Sequence, residues 1–66
     1  MIVGDRVRLV HTNDEYTSLR PGDQGKVTGI HPDPFNLGHQ VIDVDWDNGS
    51  NLSMLTAAND RLEVVS

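Results

Sequence analysis

Three carboxylates stand two residues apart in this chain, Asp43, Asp45 and Asp47, within the run VIDVDWDNGS. Extended backbone puts every second side chain on one face, about 6.7 Å apart at a rise of 3.3–3.4 Å per residue. Such an acidic face can simply be solvated, can dock a basic partner, or can mimic spaced phosphates and occupy a nucleic-acid site on another protein. The last option makes the chain an acidic inhibitor. Arg6, Arg8, Arg20 and Lys26 are four of the five basic residues and lie in the first part of the chain. With Tyr16 available to stack on a base, they form a candidate nucleic-acid contact. Its competitor is cross-strand pairing of the arginines with Asp5, Asp23 or Glu63, which contributes little at a surface.

Other chemistries are poorly supplied. His11, His31 and His39 with Asp33 contain metal-ligating types, and His31 and His39 flank one loop. Their spacing matches no known site, so no metal or cofactor is expected. Serine and histidine occur without a strand-turn-helix elbow to present a nucleophile. Gly22, Gly25 and Gly29 open no helix and cradle no phosphate; turning and bending of strands account for them. The chain is read as non-enzymatic.

Composition narrows the classes further. Sixty-six residues with no cysteine make one domain, spanning 1–66, without disulfide staples or thiolate chemistry. The net charge of −5 disfavours phosphate and anionic membranes, although a local patch can oppose it. The amino terminus turns polar by position four and offers no signal-like or spanning run. Folded pattern begins almost at once, leaving little room for a targeting arm, and a cytoplasmic location is expected.

The elements that must hold these residues are five short apolar-patterned segments separated by turn signals, the pattern of a small all-β barrel. Strands are predicted over 5–10, 24–30, 41–47, 50–55 and 62–65. Val7, Leu9, Val27, Ile42, Val44, Trp46, Leu62 and Val64 face inward by parity. Gly29 marks a sharp bend, past which Ile30 returns to the core despite its parity. Between the third and fourth strands, a two-residue Asn48-Gly49 loop would set carboxylates among apolar side chains. A three-residue loop over 47–49, with Gly49 left-handed and bulged, pairs Val44 with Leu52, Ile42 with Met54 and Trp46 with Ser50. Thr56 caps a single 3₁₀ turn in TAAND.

Two loops interrupt this pattern. The polar stretch 11–23 ends in the Pro21-Gly22 turn. In 31–39, HPDPFNLGH, prolines and glycine forbid regular structure, yet Phe35 and Leu37 are large and apolar. They either fold over an open barrel end or await a partner. Tyr16, Arg20, Phe35 and Leu37 are the candidate partner-binding residues, with another protein the expected partner. Oligomeric state is left open.

The segments GDRVRLV and LRPGDQGKVTGI resemble the opening of SH3-like small barrels, including the KOW and Tudor-like branches. Gly4, Asp5 and Val7, then Gly22, Gly25 and Val27, carry that resemblance. Together with VDWDNGS and DRLEVV, nearly the whole chain resembles a family of short bacterial and phage proteins known only as a domain of unknown function. The 31–39 loop is longer than the pattern. The resemblance implies a five-stranded, strongly bent SH3-like barrel with a 3₁₀ turn before the last strand. It also implies that the basic cluster lies where KOW-like relatives contact RNA or ribosomal and polymerase partners. It brings no catalytic residue.

Overall fold

The computed structural model describes residues 1–14 and 17–65. Alternating apolar residues produce the strands β1 (Arg6–His11), β2 (Gln24–Pro32), β3 (Gln40–Trp46), β4 (Met54–Leu55) and β5 (Arg61–Val64). All neighbours are antiparallel and their order is β4-β3-β2-β1-β5. A 3₁₀ turn, Thr56–Ala58, links β4 to β5 and ends at Asn59, whose left-handed φ is 64°.

One face of the sheet holds the core. Val7, Leu9, Val27, Ile42, Val44, Trp46 and Met54 are buried there, with Ile30 and Leu62 packed against them. Leu19, within the stretch 11–23 expected to be a polar loop, joins them at 1% exposure. Val64 departs from expectation in the other direction. It stands opposite Val7 in the register, but β5 is an edge strand of the sheet and Val64 is 48% exposed.

β2 bends where Gly29 predicted it. Val27 faces Val44 and Gly29 faces Asp43, so two residues of β2 are spent on one of β3. The extra residue, Thr28, makes a β-bulge. Parity is thereby reset: Gly29 moves to the outer face, and Ile30 lands opposite Ile42 and packs against the core.

The β3–β4 connection is the three-residue loop. Trp46 N–H donates to Ser50 O at 2.8 Å, Gly49 N–H to Trp46 O at 3.0 Å, and Gly49 has φ 92°. Asn48 is not in the left-handed region; among the described residues, Asn59 is the non-glycine residue that is. Ile42 faces Met54 as the register requires.

Two expectations are corrected here. The predicted fourth strand over 50–55 shrinks to Met54–Leu55, and no ladder closes β4 onto β5 among the described residues, so the sheet is open rather than a closed barrel. Side chains of β3 account for the shortening. The Trp46 indole N–H takes Leu52 O at 2.9 Å and Ser53 turns its hydroxyl to Asp43. Leu52 and Ser53 thus serve β3 side chains, and Val44 and Leu52 are not ladder partners.

Candidate functional site

On the outer face, register decides which charges meet. Lys26 stands between Arg6 on β1 and Asp45 on β3. Arg6 donates from both terminal nitrogens to both oxygens of Asp47, at 2.9 and 2.5 Å. This two-pronged contact raises the Arg6 pKa and, by the same hydrogen bond and charge, holds the Asp47 carboxyl below its usual value. Arg8 pairs with Glu63 of β5. Both pairs are solvent-facing and contribute little net stability.

The third carboxylate sits in a small polar cluster. Gly29 is opposite Asp43, and a Cβ on Gly29 would lie 2.7 Å from Asp43 Oδ2 and 2.9 Å from His31 Nε2. The bare backbone therefore leaves room for His31 Nε2 to meet Asp43 Oδ2 at 2.8 Å. Ser53 Oγ donates to Asp43 Oδ1 at 2.5 Å. The Asp43 pKa is lowered, first by the Ser53 hydroxyl and then by His31.

Serine, aspartate and histidine side by side invite comparison with a nucleophilic triad, but the order is wrong. Activation of a serine needs the imidazole between hydroxyl and carboxylate. Here the carboxylate is in the middle and the hydroxyl donates its hydrogen bond to it. The cluster ties β2, β3 and the segment before β4 together. Parity reading missed it because the bulge moves Gly29 and His31 relative to β3.

The first loop folds onto itself. Leu19 anchors it in the core. The Arg20 guanidinium donates to the carbonyls of Thr17 and Leu19, each at 2.9 Å, and its backbone N–H donates to Asp23 Oδ2. Tyr16, the other candidate in this loop, lies outside the described residues.

The second loop is ordered by Asp33. Oδ1 accepts the Phe35 N–H at 2.9 Å and Oδ2 accepts the Asn36 side-chain amide at 3.1 Å. These bonds, the Phe35 N–H foremost, lower the Asp33 pKa. Asp33 N–H donates to His39 O and His39 N–H to Asn36 O, closing the base. On this frame Phe35 is 90% and Leu37 102% exposed. Neither folds over the end of the sheet.

Both loops are moored to the 3₁₀ turn. His39 Nδ1 and Gln40 N–H reach Thr56 Oγ1. The Asn13 side-chain amide reaches Ala58 O, and the Thr12 hydroxyl donates to Asp60.

Several candidate residues are thus in place but engaged. Arg6 and Arg8 hold carboxylates, Arg20 holds its own loop, and Lys26 faces Asp45 across the strands. Asp43 and Asp47 are hydrogen-bonded partners rather than a bare stripe. Trp46 is 2% exposed and belongs to the core. The histidines separate: His11 meets Asn13, His31 Asp43 and His39 Thr56. Among the described residues, no group of three or more His, Asp or Glu side chains is placed to hold a metal ion. His31 and His39 do border one shallow cleft of about 290 Å³, together with Pro32 and Gly38. No helix is long and apolar enough to cross a membrane.

The model of a family described as a domain of unknown function (DUF4314) covers residues 2–65. No curated protein and no solved structure matches the chain.

Proposed function

We propose that this chain, which belongs to the DUF4314 family of domains of unknown function, is a non-enzymatic module that binds another protein through its second loop. The observation that carries the reading is the pair Phe35 and Leu37, 90% and 102% exposed on a hydrogen-bonded turn. The core is complete without them. Large apolar side chains on a pre-ordered tip lose little freedom when buried by a partner, which makes them effective anchors. The first loop, with Arg20 in it, is read as a second part of the surface; its Asn13 and the second loop's His39 both reach the 3₁₀ turn.

The scaffold is read as an SH3-like barrel left open between β4 and β5. The strand order, the bulged β2 and the 3₁₀ turn before β5 support it. The absence of cysteine fits the cytoplasmic placement in this reading. The engaged state of Arg6, Arg8 and Arg20 weighs against a nucleic-acid contact, and the engaged state of Asp43 and Asp47 against an acidic inhibitor.

The test is affinity capture from native-cell extract with the wild type and with the double variant Phe35→Ser, Leu37→Ser. A protein retained by the wild type and lost by the variant, with capture unchanged by nuclease, is the expected result. Equal capture by both forms overturns the reading. Nuclease-sensitive capture transfers the function to Arg6, Arg8 and Lys26.

A further inference from the structure

The sheet is open between β4 and β5, and a pocket of about 340 Å³ lies beside that seam. It is lined by residues 12–14 of the first loop, by 52–55, and by Ala58 and Asp60. Its hydrocarbon comes from Leu52, Met54, Leu55 and Ala58. Met54 belongs to the core, whereas Leu52 and Leu55 are 37% and 41% exposed and Ala58 is exposed. A volume at the low end of ligand clefts suits one long side chain.

The charge in this pocket has one sign. Asp60 is half-buried and is answered by neutral donors. Its Oδ1 accepts the Thr12 hydroxyl at 2.8 Å and its Oδ2 accepts the Leu55 N–H at 3.0 Å. It joins no ion pair among the described residues. Each oxygen has taken one donor and keeps capacity for a second. Asp14 adds another carboxylate to the lining, and no Lys, Arg or His lines the pocket among the described residues. Apolar walls around charge of one sign concentrate its field on whatever enters.

We propose that this pocket receives the side chain of an arginine carried by a partner polypeptide. The methylene stem lies on Leu52, Leu55 and Ala58, and the guanidinium fork takes both oxygens of Asp60. Arginine matches the two halves of the pocket, an aliphatic stem for the hydrocarbon and a planar two-pronged donor for the carboxylate. Lysine, a compact and more strongly hydrated charge, has no such fork. The net charge of −5 steers a basic segment toward the chain. This contact goes beyond the Phe35–Leu37 tip and does not depend on it.

The test is an NMR titration of the whole chain with a short end-capped peptide carrying one arginine among glycines. The control is the same peptide with citrulline, a neutral isostere, in place of arginine. Saturable shifts of Leu52, Leu55 and Ala58 signals are expected with arginine, with affinity falling as salt is raised. Citrulline should bind about tenfold more weakly or worse. Ala58→Lys sets a cation at the pocket, outside the hydrogen bonds of Asp60, and should weaken arginine binding by about tenfold or more. Asp60→Asn should do the same. Because Asp60→Asn also disturbs the Thr12 and Leu55 contacts, Ala58→Lys decides the matter if that variant does not fold. Phe35→Ser should leave binding unchanged. Absence of saturable shifts with the arginine peptide overturns the proposal. So does equal binding of the citrulline peptide, binding indifferent to Ala58→Lys, or shifts centred on Asp45 and Asp47 of the outer face.

Discussion

Asp47 illustrates how far apart in sequence the partners of a surface charge can lie. Its guanidinium is Arg6, 41 residues away. Strand parity placed Asp43, Asp45 and Asp47 on the outer face, and the structure agrees. Parity could not name their partners, because these come from β1, the far side of the β2 bulge and the segment before β4. The partners have a measurable consequence in acid. Asp43 and Asp47 are held below the usual carboxylate pKa, by Ser53 and His31 and by Arg6 respectively. The unfolded chain then takes up protons at a higher pH than the folded one. The stabilisation is complete above the ordinary aspartate value of about 3.9 and is lost as pH falls through the folded values. Carboxyl chemical shifts followed by NMR should give midpoints below that value for both residues. Ser53→Ala should raise the Asp43 midpoint and leave that of Asp47 in place.

At the scale of elements, the two strand glycines of β2 do different work and should fail differently. A Cβ on Gly25 would meet Asp45 O and Val44 Cγ1 at 2.7 Å and Trp46 Cα at 2.9 Å. Backbone cannot step aside, so Gly25→Ala should cost about 1–3 kcal/mol in urea unfolding. On Gly29 the same atom would meet Asp43 and His31 side-chain ends, which can swing away. Gly29→Ala should cost distinctly less while breaking the His31–Asp43 contact, visible as a shifted His31 ring signal. Gly49→Ala, at φ 92°, should cost about 1–2 kcal/mol for its left-handed backbone. The β3–β4 turn was legible because one of its two registers mixed carboxylates with hydrocarbon. The length of β4 was not, since Trp46 and Ser53 side chains redirect backbone that propensity alone would have paired. Leu19 was hidden for a simpler reason: a lone apolar residue between polar neighbours has no period.

For the whole molecule, the core and the exposed tip are energetically separate. Phe35→Ser with Leu37→Ser should leave the unfolding free energy from urea titration within about 0.5 kcal/mol of wild type, because both side chains are almost fully exposed. Segment count alone does not imply closure into a barrel, since the five strands in the order β4-β3-β2-β1-β5 leave β4 and β5 as edges. Trp46 → Phe should be felt by the whole fold. It leaves Leu52 O without the indole N–H and opens a void, a cost of about 1–3 kcal/mol. Trp46 is also the single tryptophan of the chain, sealed inside and tethered at its nitrogen. The molecule thus carries its own optical gauge. Indole fluorescence will report cooperative melting, and it will stay silent while a ligand settles on the distant phenylalanine, so one cuvette distinguishes loss of structure from occupancy.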